Sequence, residues 1–249
     1  MSITACDTGG VNVPELPGVP TTGTPSGANP NPVTPAPVPA ATPSPKPTVK
    51  PTPSPTVPVT PPNSAPHASC VSSDANKLCI GLKVVAYSDS SGLSVLNEVA
   101  AETLVQQMNA VWQTCNIGFQ VDVYDSVDPT SSGLTYGAGS QSELNEIRDD
   151  FSTNSTMLVA ITGPWTGSTI AWTSMPGGGP YGTIVEKDYG HNPYTVGHEL
   201  GHYMGLYHIN DNSNLMNPYI GTNTSALNSS QCNISRGTTL SYWSAMLRK

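Results

Sequence analysis

Between residues 68 and 249 the apolar positions follow two periods, that of a strand and that of a helix. Continuous or alternating apolar runs predict strands at 80–87, 117–124, 156–162, 169–174 and 183–187. Apolar side chains at helical spacing predict an amphipathic helix at 93–113, and weaker patterns predict helices at 143–151 and 227–247. This order of elements predicts an α+β fold, with helices packed on a twisted mixed five-stranded sheet.

The first 67 residues show neither period and have a different composition. They contain 19 of the 25 prolines, and residues 11–66 include no aromatic side chain. Such a segment cannot bury enough apolar surface to offset the entropy of ordering. We therefore expect a Pro/Thr/Ser-rich disordered stalk at 1–67, followed by a domain at 68–249. A proline-rich ligand for a recognition domain is the alternative interpretation.

A short motif near the start indicates what the stalk is attached to. Residues 3–5 precede Cys6 and resemble a bacterial lipobox, in which a cysteine after small residues receives lipid. The motif predicts lipidation of Cys6, a membrane tether and an extracytoplasmic location, either secreted or at the cell surface. The alternative is an incidental cysteine.

The net charge of −8 lies entirely on residues 68–249, because the first 67 residues hold two acidic and two basic side chains. An acidic chain without a basic run is a poor match for nucleic acid or an anionic membrane surface. No apolar run approaches the roughly 18 residues of a transmembrane helix. We expect a monomer whose partner is not a nucleic acid.

The cysteines other than Cys6 form an even set within the predicted domain. Four cysteines allow three pairings. We expect Cys70–Cys79, which closes a short loop, and Cys115–Cys232, which ties the C-terminal segment to the first helix. Disulfides suit an exported protein. Four buried free thiols are the alternative.

The motif that carries chemistry lies at residues 198–208. His198 and His202 are four residues apart, so on a helix they project from one face and can hold one ion. Glu199 lies beside them and can reach a water molecule on that ion. Gly205 can take the left-handed conformation that ends a helix, which lets His208 return as a third ligand. Three imidazoles leave a fourth position open, as in catalytic zinc sites.

Two other side chains near the motif are candidates for the same ion. Asp211 is the only acidic residue after Glu199 and is the alternative third ligand in an enzyme of the thermolysin type. His191 precedes the motif, and a surface loop position is a simpler interpretation of it than an extra ligand.

Residues 198–208 match the zinc-binding signature of the metzincin peptidases, and the flanking sequence resembles their matrixin branch. The Leu-Met-Asn-Pro run at 215–218 resembles the methionine turn of that group, and residues 169–187 are similar to the matrixin edge strand and the strand after it. The resemblance implies a metzincin-like domain over about 79–249. It assigns Zn²⁺ to His198, His202 and His208, with Met216 packed beneath them.

The resemblance also implies an activity on a peptide or protein substrate. It predicts a zinc-dependent endopeptidase that hydrolyses peptide bonds with a zinc-activated water and with Glu199 as the general base. The substrate would pair with the edge strand and meet a pocket near the methionine turn, which assigns contacts to Thr169, Ile170, Ala171, Trp172 and Tyr219. A packed core tyrosine is the alternative for Tyr219.

Matrixin-like domains often bind Ca²⁺ as well. Asp122, Asp125 and Asp128 alternate with turn residues and are the candidate ligands. A solvated strand end is the simpler interpretation of these three side chains.

Two other functions stay open on the sequence. One is a peptide- or cell-wall-binding module that does not catalyse, and the other is hydrolysis of peptidoglycan stem peptides. The intact Glu199 favours an enzyme, because a binder has no use for a carboxylate at that position.

Overall fold

The computed structural model describes residues 68–220 and 224–249. The predicted stalk at 1–67 and the lipidation of Cys6 lie outside these ranges and stay predictions. None of the helices in the two ranges is long and apolar enough to cross a membrane.

A mixed sheet forms the centre of the domain. Its strands are β1 (Leu78–Tyr87), β2 (Ile117–Val127), β3 (Met157–Thr162), β4 (Ala171–Thr173), β5 (Thr183–Glu186) and β6 (Leu247–Arg248). The spatial order is β2-β1-β3-β5-β4, and β6 pairs with β1. The first four strands of that order are parallel, whereas β4 is antiparallel to β5 at one edge. The α+β fold and the five expected strands are therefore present.

The sixth strand was not predicted. The expected helix at 227–247 ends earlier, at Tyr242, where the backbone of Trp243 leaves the helical path with a φ of −118°. The indole Nε1 of Trp243 donates to the carbonyl oxygen of Tyr203 at 2.9 Å. Leu247 and Arg248 pair instead with Ile80 and Cys79 of β1. A two-residue strand has no period of its own, so only its tertiary partner defines it.

The helices are α1 (Glu98–Trp112), α2 (Gln141–Phe151), α3 (Pro193–Tyr203) and α4 (Ser229–Tyr242), with short 3-10 turns at Gln113–Cys115, Pro129–Ser132 and Ser244–Met246. The start expected at residue 93 was too early for α1. Asn97 caps this helix by accepting a hydrogen bond from the Ala100 amide, and Leu93 lies 70% exposed in the preceding turn.

The sheet is covered on both faces, because successive strand residues point in opposite directions. Val84 and Val159 belong to one apolar cluster, which contains the buried faces of α1 and α3. Val85 and Leu158 belong to a second cluster with the buried face of α2. This layering places α3, with its histidines, on the same face as α1.

Both expected disulfides are present, Cys70–Cys79 and Cys115–Cys232. They close loops of very different length, with sequence separations of 9 and 117 residues. The second one joins the 3-10 turn after α1 to α4, and so links segments that are far apart in sequence.

Removing the long-range disulfide is expected to cost more stability than removing the short one. A cross-link over a long loop removes more entropy from the unfolded chain, so Cys115→Ser with Cys232→Ser should lower the free energy of unfolding by about 5 kcal/mol and Cys70→Ser with Cys79→Ser by about 3 kcal/mol. Urea unfolding of the two double variants measures the difference. Equal losses would contradict the loop-length explanation.

The candidate calcium site is not supported, since its three aspartates bind separate partners. Asp122 forms an ion pair with Arg248, and Asp125 lies 3.3 Å from the Nζ of Lys83. Asp128 caps the turn at Pro129–Ser132 by accepting from the Thr130 amide. Two of the carboxylates are paired with a lysine or an arginine and the third caps a turn, so the three do not converge on one point.

Candidate metal centre

Helix α3 carries the two histidines and the glutamate of the motif in a buried position. The helix begins at Pro193, where the Oδ1 of Asn192 accepts a hydrogen bond from the Tyr194 amide at 2.9 Å. His198, Glu199 and His202 are all buried. The polar motif therefore lies inside the domain, under the sheet.

The end of α3 returns the third histidine, as the sequence predicts. Gly205 has a φ of +85°, in the left-handed region that favours glycine. The Leu206 amide then donates back to the Gly201 carbonyl at 2.9 Å. This reversal brings His208 beside the helix.

Replacing Gly205 with alanine is expected to destabilise the domain by about 1–2 kcal/mol, because a side chain in the left-handed region is strained. The new Cβ would also lie 2.9 Å from the Oγ1 of Thr238. Thermal unfolding in the presence of a chelator isolates this effect from metal binding. Gly237→Ala is the matched control, since its Cβ meets nothing within 4 Å inside α4 and alanine should stabilise the helix. Equal effects of the two substitutions would contradict the role of Gly205.

The three imidazole rings meet at their Nε2 atoms. The Nε2 of His202 lies 3.1 Å from that of His198 and 3.1 Å from that of His208, and the remaining pair is 3.3 Å apart. No other group of three or more histidine, cysteine or acidic side chains in the described part of the chain could hold a metal ion.

Backbone carbonyls fix which nitrogen of each helical histidine carries its proton. The Nδ1 of His198 lies 2.7 Å from the carbonyl oxygen of Leu215, and the Nδ1 of His202 lies 2.6 Å from that of Leu206. A carbonyl oxygen only accepts, so Nδ1 must donate in both rings. Each Nε2 is therefore left with its lone pair directed at the meeting point.

Burial keeps these rings neutral. It lowers the pKa of His198 to about 4, although the hydrogen bond to Leu215 offsets part of the effect. Burial also lowers the pKa of His202 well below its ordinary value, with the neighbouring histidines adding to the shift, and it lowers the pKa of the half-buried His208. At neutral pH the cluster offers lone pairs, as a metal ion requires.

This arrangement fits a zinc ion. Zinc bound tetrahedrally at Zn–N distances of about 2.0–2.1 Å holds its nitrogen ligands about 3.3 Å apart. The observed separations of 3.1 to 3.3 Å are close to that value. Nitrogen lone pairs that face one another at such a distance repel unless a cation lies among them. The donor set, its spacing and its protonation therefore all suit Zn²⁺.

The methionine turn lies directly against α3. Met216 is fully buried, and a Cβ added at Gly201 would overlap its sulfur. The turn is anchored by Asn214, whose Oδ1 accepts from the Met216 amide at 2.9 Å and whose side chain exchanges two hydrogen bonds with Gln231 of α4. Sequence reasoning missed Asn214 and Gln231, although the Asn-x-Met order was a visible signal.

Glu199 contacts the edge of the sheet. The hydroxyl of Thr173, on β4, donates to its Oε2 at 2.6 Å, and the Thr183 hydroxyl on β5 lies 2.9 Å from that of Thr173. Sequence reasoning missed both threonines because nothing in their local pattern connects them to the helix.

The expected contact residues of the edge strand differ in where their backbone hydrogen-bonding groups point, either into the domain or towards the open edge of the sheet. The carbonyl of Ile170 accepts from the Glu186 amide at 2.9 Å, and that of Trp172 accepts from the buried guanidinium of Arg148 at 3.0 Å. Hydrogen-bonding groups of successive strand residues point to opposite sides, so Ala171 presents its backbone at the open edge. Thr169 lies two residues before β4.

The remaining candidates near the motif lie apart from the cluster. Tyr219 is 53% exposed, which does not fit the alternative of a packed core tyrosine. Asp211 accepts two hydrogen bonds from Ser213 in a local turn. His191 is exposed, and its Nε2 lies 2.9 Å from the Val95 carbonyl.

Comparison with known proteins tests the resemblance to a metallopeptidase domain. The family model of peptidase family M10, the matrixins, matches residues 163–236. This range includes the edge strand, α3, the third histidine and the methionine turn. The match confirms the resemblance to the matrixin branch of the metzincins.

Among solved structures, metalloproteinase-II from Bacteroides fragilis is similar to this chain, with 17% sequence identity and a TM-score of 0.44. The alignment covers 64% of this chain and 53% of the other, so the chain spans about half the length of that protein. A search of curated proteins finds no match.

Proposed function

We propose that this protein is a zinc-dependent endopeptidase. The observation that carries the proposal is the meeting of three neutral imidazoles at one point, with separations of 3.1 to 3.3 Å between their Nε2 atoms. Two of them lie on the helix that also holds Glu199, and the third follows the turn that ends it. The match to the matrixin family supports it.

His198, His202 and His208 would hold the ion through their Nε2 atoms, and the carbonyls of Leu206 and Leu215 keep two of the rings in the required tautomer. Zinc, when bound, would polarise the scissile carbonyl and lower the pKa of a water molecule from 15.7 towards about 7. Glu199 would take a proton from the attacking water on its carboxylate and deliver it to the leaving amine. Its burial excludes bulk water from that carboxylate.

The proposed substrate is a peptide or protein that binds in extended form. β4 lies at the edge of the sheet, and an edge strand presents backbone groups that an added strand can pair with. Ala171 faces this edge, whereas Ile170 and Trp172 bond inwards and would contribute only through their side chains. The exposed Tyr219 is the proposed wall of a pocket beyond the methionine turn.

We also infer that the protein is exported. Two disulfides in one domain suit an oxidising compartment, and they support this location independently of the lipobox-like motif at Cys6. A lipid at Cys6 would tether the domain through the proline-rich segment at 1–67.

The test is cleavage of an unstructured protein by the full chain, with and without a chelator, followed by mass spectrometry of the products. We expect internal cleavage that stops on chelation and returns when stoichiometric zinc is added. One zinc ion per chain without cleavage of protein or of peptidoglycan stem peptides would support a binding module instead. Cleavage of the stem peptides alone would narrow the substrate class.

A further inference from the structure

We propose that the hydroxyl pair of Thr173 and Thr183 positions the carboxylate of Glu199 for proton transfer, an inference that rests on the proposed peptidase function. Neither threonine belongs to the zinc motif. They are positioning residues, because they act on the reaction through Glu199 and are not themselves placed at the reacting atoms.

The three side chains come from three different elements and meet in the interior. Thr173 lies on β4, Thr183 on β5 and Glu199 on α3. Their exposed fractions are 7%, 0% and 0%. A contact of 2.6 Å between a hydroxyl and a carboxylate oxygen is short, as expected of a hydrogen bond to an ionised group.

The direction of the two hydrogen bonds follows from the number of protons available. A threonine hydroxyl has one proton, and an ionised carboxylate can only accept. Thr173 must therefore donate to the Oε2 of Glu199, and its oxygen then accepts from the hydroxyl of Thr183, 2.9 Å away. The pair forms an ordered chain of donors that ends on the carboxylate.

This chain restricts a side chain that would otherwise rotate. A glutamate has three side-chain torsions, and a general base is effective only while it stays within hydrogen-bond reach of the proton that it takes. The hydrogen bond from Thr173 holds one carboxylate oxygen of Glu199 against the sheet. This limits the positions that the other carboxylate oxygen can take. The same strand, β4, is the proposed docking edge, so the base and the substrate share one rigid reference.

Thr173→Val tests the proposal, since valine keeps the branched shape and removes the donor. We expect kcat to fall about tenfold with KM within about twofold of its original value, because a misplaced base slows proton transfer without weakening substrate binding. Thr173→Ser restores the hydroxyl and should recover most of kcat. Thr183→Val removes only the second donor and should lower kcat by a smaller factor, about threefold.

Matched controls separate positioning from packing. Thr239→Val removes a buried threonine hydroxyl in α4, far along the chain from the site, and should leave kcat unchanged. Zinc content is measured for every variant and should stay at one ion per chain. An unchanged kcat in Thr173→Val, or a loss that Thr173→Ser does not repair, would overturn the proposal.

The outcome is decided even if Thr173→Val does not fold. An unchanged kcat in Thr183→Val would then overturn the proposal, and a lowered kcat at unchanged KM would support it. Failure of the proposed peptidase function has a different signature, since the unaltered protein itself would then show no chelator-sensitive cleavage.

Discussion

Replacing Glu199 with glutamine is expected to lower kcat by about 10³-fold while the protein still binds one zinc ion. General acid–base catalysis by a positioned side chain contributes roughly 10²–10⁴-fold, and glutamine cannot take up the proton of the attacking water. The substitution keeps the shape of the side chain and a carbonyl oxygen that can accept from Thr173. Fold and metal content should therefore be unaffected, and the loss is specific to proton transfer.

Glu186→Gln is the matched control for this experiment. Glu186 is also a buried carboxylate of the sheet, and burial raises its pKa, but it lies on β5 and accepts from the Asp188 amide. Replacing Glu186 should leave kcat within about twofold, because this side chain takes no part in the proposed proton transfer. Wild-type turnover by Glu199→Gln would remove Glu199 from the mechanism and leave the source of the base unexplained.

Replacing His208 with alanine is expected to weaken zinc binding by more than about 100-fold. Loss of a group that only orients a ligand costs 10–100-fold, and loss of a ligand itself should cost more. The effect also appears in stability, since zinc at 100 times its dissociation constant adds about 2.7 kcal/mol to the folded state. Thermal unfolding with and without added zinc should show a zinc-dependent shift in the unaltered protein and a much smaller one in the variant.

Two controls accompany His208→Ala. His191→Ala changes a histidine outside the cluster, and Asp211→Asn removes the carboxylate that was the alternative third ligand. Both should bind zinc as the unaltered protein does. Loss of zinc in Asp211→Asn with binding retained in His208→Ala would show that the third ligand has been assigned to the wrong residue.

Local geometry explains why the cluster of three histidines could be predicted from sequence. The four-residue spacing of His198 and His202 corresponds to one helical turn, and Gly205 supplies a turn whose conformation depends on the residue itself. His208 follows within three residues of that turn. No residue distant in sequence is needed to bring the rings together, so the spacing of the histidines and of Gly205 is sufficient to predict the cluster.

The parts that sequence missed depend on contacts between distant segments. Thr183 and Thr173 are 16 and 26 residues from Glu199, and only the pairing of β4 with β5 beside α3 brings them together. Asn214 and Gln231 are 17 residues apart and meet because α4 packs against the methionine turn. Hydrophobic periodicity records which face of an element is buried but does not record what that face meets.

The sequence by itself determined the class of fold, five of the strands and the three histidines, because each of these depends on a period or on a local spacing. It left three cysteine pairings open, and the structure has the one that we expected. Tertiary structure alone decided the sixth strand, the partners of the three aspartates that were candidates for calcium, the exposure of Tyr219 and the hydroxyl chain to Glu199. These features depend on contacts between segments that are distant in sequence. In the hydroxyl chain the reason is the cost of burying a polar group without a partner.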